Sequence, residues 1–215
     1  MRAMSGDGRE TVKKSVTGIG NAKGRASKQE ILEAASSLFG EVGFHEASLR
    51  DIAGRVGMTH PGLLHHFPTK KVLLAEVLAY RDEQDFAVMD QIMATEGMEF
   101  DQCMVEVARL NAARPGVVAL YATLSAEATS AKHPAHGFFV ARYTNLLTQL
   151  EEFYLGLGKT GRLREEVVPA IAAKTVMALM DGLQIQWLLS LATGNKMLDV
   201  DMSDVISHYI GTLRN

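Results

Sequence analysis

The sequence predicts an all-α fold. Apolar residues recur at three- and four-residue steps over long stretches, the spacing of one helical face. β-branched residues do not gather into alternating runs, and only 5 prolines interrupt 215 residues. The composition, 47% apolar and 22% charged, suits one or two domains with a sizeable core.

Residues 1–25 read as a flexible basic arm, because Gly6, Gly8, Gly18, Gly20 and Gly24 break any helix and little is available to bury. Lys23 and Arg25, with Lys28 just beyond, are the arm's expected phosphate or minor-groove contacts; an uninvolved solvated tail is the alternative. Ser27-Lys-Gln-Glu30 has the form of a capping box opening the first helix. Ile31, Ala35, Leu38, Phe39 and Val42 repeat at core spacing, Gly40 and Gly43 bring the helix to its end, and Phe44 is expected to fold back as an apolar plug.

Residues 47–71 hold two short helical patterns around a tight turn. Ser48, with Asp51 three residues on, caps the first, and Ile52, Ala53 and Val56 form its apolar face. Gly57 supplies a permissive backbone for the turn. Thr59 caps the second helix, whose first turn tolerates Pro61. Leu63, Leu64 and Phe67 are its apolar side, and Pro68 ends it. With small Ala53 at the crossing, this pattern is a helix-turn-helix, which sets its second helix in a DNA major groove. Residues 26–71 are therefore expected to form a DNA-binding domain and residues 72–215 a larger helical bundle.

In that bundle, a helix over about 69–94 packs Val72, Leu73, Leu74, Val77 and Leu78 on the small domain and joins the two domains. Further helices are expected near 99–114, 116–130 and 135–157, with a loop around Gly156, Gly158 and Gly161. A helix over about 166–192 looks apolar all round, which implies burial all round, and a final helix covers about 202–213. A chain that faces its own core on one side and a second copy on the other would use such a helix.

Net charge is only −3, which argues against a wholesale nucleic-acid coat. The distribution is uneven. Residues 1–71 hold 11 Lys/Arg against 7 Asp/Glu, and the remainder 11 against 18, so the basic front suits an end that meets phosphate. Cys103 is the only cysteine, which excludes an intrachain disulfide and gives an oxidising compartment no support. No apolar run spans a membrane without polar interruption, and no hydrophobic signal core opens the chain; a cytoplasmic location is the expectation.

Three segments carry a family resemblance. The end of the first helix, Leu-Phe-Gly-Glu-Val-Gly-Phe44, the segment Ala47-Ser-Leu-Arg-Asp-Ile-Ala53 and the ending His65-His-Phe-Pro-Thr-Lys-Lys-Val-Leu-Leu74 resemble the TetR family of transcriptional repressors. The similarity covers about residues 27–75. It implies an all-α homodimer whose N-terminal domain binds operator DNA and whose C-terminal domain binds a small apolar or amphipathic effector. It also implies that the helix joining the domains transmits effector binding. Asp181–Leu189 resembles the family's dimerisation helix. One departure stands out: Leu64 occupies a position where the family commonly has tyrosine, so His65 replaces that phosphate contact or the contact is lost.

The expected DNA edge comprises Ser48, Arg50, Thr59, His60, Pro61, Gly62 and His65, with Lys70 a phosphate contact by charge and by its match to the family. The few long polar side chains there predict thin direct base readout, with shape and phosphate contacts contributing. Phe86, Met89, Met93, Met104, Tyr121, Phe138, Arg142, Tyr143, Gln184 and Trp187 are the expected effector contacts, with plain core packing the alternative for each. Val176, Leu179, Leu183, Trp187, Val205, Ile206, Tyr209 and Ile210 are the expected dimer contacts. No catalytic residues, metal site or cofactor are expected. No GxSxG, P-loop or zinc-binding pair occurs, His60, His65 and His66 lack i, i+4 spacing, and Cys103 has no evident activating partner. Asp181, alone in an apolar helix, reads as a capped or interface-satisfied carboxylate.

Overall fold

The computed structural model describes the backbone of residues 19–215 and the side chains from Lys28 onward. Among the described residues the chain is helical throughout: α1 (Ile19–Glu46), α2 (Leu49–Arg55), α3 (His60–His66), α4 (Lys70–Met93), α5 (Phe100–Asn111), α6 (Pro115–Glu127), α7 (His136–Lys159), α8 (Pro169–Thr193) and α9 (Met202–Leu213). The only pairing of extended backbone described is an isolated antiparallel bridge between Leu163 and Arg214.

Local chemistry sets most helix ends. Ser48 Oγ accepts the Asp51 N–H at 3.1 Å, Thr59 Oγ1 the Gly62 N–H at 3.2 Å and Thr69 Oγ1 the Val72 N–H at 3.2 Å. Proline stands in the first turn of α3, α6 and α8, where its missing N–H costs nothing. Gly194 ends α8 in the left-handed conformation, φ 67°.

The start of α1 departs from expectation. The helix begins at Ile19, ahead of Ser27, so Ser27–Glu30 lies inside it and residues 19–25 of the expected flexible arm are helical. Residues 1–18, and the side chains of Lys23 and Arg25, lie outside the described residues. At the other end Gly43, φ 78° and ψ 174°, breaks the helix before the chain resumes to Glu46. Val42, expected in the core, is exposed. The loop expected at Gly156 and Gly158 is instead the last turn of α7.

Two apolar clusters make the core. The first runs from Ile31 to Leu78 and takes in Leu120 and Leu124 of α6 and Phe139 of α7. The second joins α5, α7, α8 and α9 through Met104, Leu150, Tyr154, Val176, Trp187 and Ile206. The head and the bundle therefore share a core: the boundary expected at residue 71 falls where α4 leaves the first cluster gradually, with Leu73, Leu74, Val77 and Leu78 inside it. The crossing of α1 on α6 is close. A Cβ at Gly40 would lie 2.8 Å from the Leu120 nitrogen, and Thr123 Oγ1 donates to the Gly40 carbonyl at 3.2 Å. At the far end, Arg214 pairs with Glu99 and with fully buried Asp101, pinning the end of α9 to α5.

Within this chain α8 is not buried all round. Ala172, Ala173, Val176, Met177, Leu183 and Trp187 face the core, while Ile171 (61% exposed), Ala178, Ile185 (52%) and Leu189 (48%) are open. Most of the expected dimer contacts face this chain's own core. Val176, Leu183, Trp187, Ile206 and Ile210 are spent inside the chain's own second cluster; Leu179 and Tyr209 are half-buried against it, and Val205 remains exposed. By length and composition alone α8 could cross a membrane. Against that, Lys174, Asp181, Gln184 and Gln186 punctuate it, and Asp181 is hydrogen-bonded to α7.

Candidate functional site

The helix-turn-helix forms as its caps predict. The Met58 N–H donates to the Ala53 carbonyl at 2.9 Å, and Gly57 takes φ 67°, a conformation that other residues rarely adopt. Ile52, Ala53, Leu63 and Phe67 are buried beneath the two helices. What remains outside is Arg50, Thr59, Pro61 and His65, with Ser48, His60, Gly62 and Leu64 half-buried beside them. Arg50 has no hydrogen-bond partner among the described residues, so its donors are open to an incoming acceptor. Half-burial of Leu64 fits its apolar character and leaves the polar edge of α3 to the two histidines.

Three other cations of the head are engaged. Lys28 Nζ lies 2.9 Å from Glu76 Oε2 and ties α1 to α4. Arg55 holds Glu41 through two contacts, at 2.5 and 2.7 Å, and the Arg55 guanidinium with the Ser37 hydroxyl pulls the Glu41 carboxyl down to about 2. Lys70, expected at a phosphate, donates to the carbonyls of Phe44 (2.7 Å), His45 (3.1 Å) and Ala47 (2.8 Å), with its ammonium 4.5 Å from the Phe44 ring centre. Its three N–H groups thus tie off the end of α1. The neighbouring Lys71 is exposed. The Lys-Lys pair was visible in the sequence, but which member turns inward depends on where the end of α1 lies.

The same corner meets the bundle. The Phe44 N–H donates to Glu127 Oε2 at 2.8 Å, and a Cβ at Gly43 would overlap that carboxylate. His133 is buried beside it, 3.3 Å from Glu127, with Nδ1 accepting the Ala135 N–H at 3.2 Å; burial holds its pKa below the usual histidine range. A neutral ring that accepts at Nδ1 carries its proton on Nε2, facing the Glu127 carboxylate.

A cavity of about 90 Å³ lies between α4, α5, α6, α7 and α8. Six of the ten expected effector residues line it: Met89, Met104, Tyr121, Arg142, Tyr143 and Gln184. Phe86 and Phe138 instead line an adjoining outer groove of about 400 Å³, which shares Asp85, Met89, Arg142 and Leu146 with the cavity. Met93 touches neither and is exposed; Trp187 is packed in the second cluster, away from the cavity. The sequence reading missed the polar wall: Asp85, Asn111, Arg114, Ser125 and Asp181. Arg142 pairs with Asp82 and lies 3.6 Å from Asp85, and Arg114 lies 3.6 Å from Asp85. Asp181 accepts from the Tyr143 hydroxyl at 2.8 Å. Val117 and Tyr121 line the cavity from the same helix that lays Leu120 and Leu124 on the head. Cys103 is buried nearby, and burial pushes its thiol up, away from nucleophilic use.

Residues 31–77 match the family model of the bacterial regulatory proteins of the tetR family. The head of the chain is thus similar to the DNA-binding heads of the TetR family. Over 80 residues, 37% of this chain, it is 32% identical to the HTH-type transcriptional regulator UidR of Escherichia coli K12, and that match spans 40% of UidR. The TetR-like fold extends through the bundle. A protein solved in work on the control of antibiotic production by bacterial hormones superposes with a TM-score of 0.66 at 26% identity, covering 88% of this chain and 98% of that one. A transcriptional regulator structure from Saccharomonospora viridis, in complex with choline, superposes with a TM-score of 0.71 at 22% identity, covering 89% and 99%. The sequence likeness is thus concentrated in the TetR head, and the bundle is similar in fold.

Proposed function

We propose that this chain is a homodimeric transcriptional regulator that leaves its operator when a small molecule enters the cavity. The observation that carries the reading is that α4 and α6 each serve both ends. Each lines the cavity with one set of residues, Asp85 and Met89 or Val117 and Tyr121, and packs on the head with another, Leu74 and Val77 or Leu120 and Leu124. At about 90 Å³ the cavity is well below the roughly 300–1,000 Å³ of drug-sized ligand sites. An effector that overfills it pushes α4 and α6 apart, and both helices carry the head. Release requires the effector to bind the displaced arrangement better than the DNA-bound one.

On the DNA side, Arg50, Thr59, His60, Pro61 and His65 meet the major groove, with Ser48 and Lys71 at the flanking phosphates. Gly62 permits close backbone approach. The position of Lys28 and Lys70 in intramolecular contacts favours a structural role for both. Dimerisation uses the open face of α8, where Ile171, Ala178 and Ile185 recur every seven residues, Leu189 follows four residues on, and Gly182 lets two backbones approach. Two heads then reach successive major grooves about one helical turn apart.

The test is a gel-shift titration of the full chain against DNA upstream of its own gene at several salt concentrations. Salt-dependent, saturable retardation is expected, and His60→Ala is expected to weaken it while leaving the melting temperature unchanged. Equal affinity for the variant removes His60 from the reading edge. No retardation at low salt refutes the regulator reading.

A further inference from the structure

The cavity wall carries three carboxylates and two guanidiniums, counting Asp82 in the outer groove, and their pairing is unequal. Arg142 is held by Asp82 and Asp85 and lies over the Tyr121 ring, 4.5 Å from its centre. Arg114 is held by Asp85 and donates to Asn111 at 2.7 Å. Asp181 is the exception: among the described residues its hydrogen-bond partner is the neutral Tyr143 hydroxyl, and no cationic side chain pairs with it.

The consequences run in one direction. Burial raises the Asp181 pKa, and the Tyr143 hydrogen bond with the field of Arg142 offsets this only in part. Tyr143 is itself pushed up to about 12 by burial and by the adjacent carboxylate, so it stays a protonated donor. A half-buried carboxylate in an apolar wall without a counter-ion is costly, and a ligand cation relieves that cost. An anionic ligand meets the opposite situation. It faces Asp181, and it finds both guanidiniums already paired. Around this charge the wall is soft and apolar, with Met89, Met104, Met177 and Leu146, side chains that re-pack around varied shapes.

We propose that the effector is an amphipathic amine, its protonated nitrogen seated against Asp181 and Gln184 and its apolar body among the methionines. The proposal rests on the reading of the cavity as the effector site and adds the chemical class. It also supplies the missing counter-charge: the nitrogen donates to the carboxylate while Tyr143 keeps its own hydrogen bond to the same group.

The experiment uses three probes of nearly equal shape, 4-phenylbutylamine, 4-phenylbutan-1-ol and 4-phenylbutyrate, with the full chain at neutral pH. Calorimetric titration is expected to give the amine an affinity at least about tenfold above the other two. Asp181→Asn, which keeps the shape and the Tyr143 contact, is expected to erase that preference while leaving the alcohol's affinity unchanged. Equal or tighter binding of the carboxylate or the alcohol overturns the proposal, as does an amine preference that survives Asp181→Asn or a failure of all three probes to bind. Parallel gel shifts separate this inference from its parent. DNA release by the carboxylate and not the amine overturns the amine class and keeps the effector site. Asp181-dependent amine binding that leaves DNA affinity unchanged keeps the amine class and refutes the effector-release reading.

Discussion

Lys70 offers the sharpest test, because a surface phosphate ligand and an internal tie predict opposite results. Lys70→Met keeps the apolar stem and removes the ammonium. Two of the three acceptors lost, the carbonyls of Phe44 and Ala47, are partly buried; the third, that of His45, is exposed and can be hydrated in the variant. A hydrogen bond from a charged donor contributes roughly 1.5–3 kcal/mol net, so the two partly buried bonds at the low end total about 3 kcal/mol. For a chain of this size each kcal/mol lowers the melting temperature by roughly 2–4 °C, which puts the expected fall at roughly 6–12 °C. Circular dichroism melts at fixed protein concentration read this directly. The salt dependence of operator binding supplies the second arm. If Lys70 were only a phosphate contact, melting would be unchanged and the slope of log affinity against log salt would drop by about one. That pair of results would refute the structural role. Lys71→Met is expected to behave in the opposite way, with the slope reduced and the melting temperature kept.

Gly40→Ala is expected to cost about 1–3 kcal/mol, since the added methyl meets the Leu120 backbone and not a movable side chain; an unchanged urea midpoint would show that α1 and α6 can separate freely. Ile185→Glu places a charge on the open face of α8 and is expected to weaken self-association about a hundredfold, about 3 kcal/mol, with helix content retained; sedimentation of an unaltered dimer would move the interface elsewhere. Glu41 is held at about 2 against an ordinary value of 4.5, so its pairing with Arg55 stabilises the fold above that ordinary value and is lost as pH falls from about 4.5 towards 2. The pair is exposed, so Glu41→Gln is expected to change neutral-pH stability by less than about 1 kcal/mol while flattening part of the acid limb; an identical acid profile would show that the pair does not form in solution.

Periodicity found the helices because a helical face needs only local spacing, and caps found the turn because Ser48, Thr59 and Gly57 act on their own neighbours. It failed where distant groups intervene. Ser27–Glu30 has the form of a cap yet lies within α1, so the form alone did not start a helix there. Trp187 and Met93 looked like pocket residues by type, but one is packed inward and the other points out. Asp181 was read as a satisfied carboxylate; its partner is only a tyrosine hydroxyl 38 positions away in sequence.

The helix-turn-helix, its caps and its histidine-bearing edge were legible from residues 47–71 alone, because every interaction that shapes them spans a few positions. The assignment of faces was not. Whether Lys70 or Lys71 meets solvent, which side of α8 is open, and which charges the cavity leaves unpaired all depend on which helices pack against each other. An apolar residue at core spacing does not specify the helix it will meet, and a charged one does not specify its counter-ion. Both are set when α1 crosses α6 and α7 packs on α8.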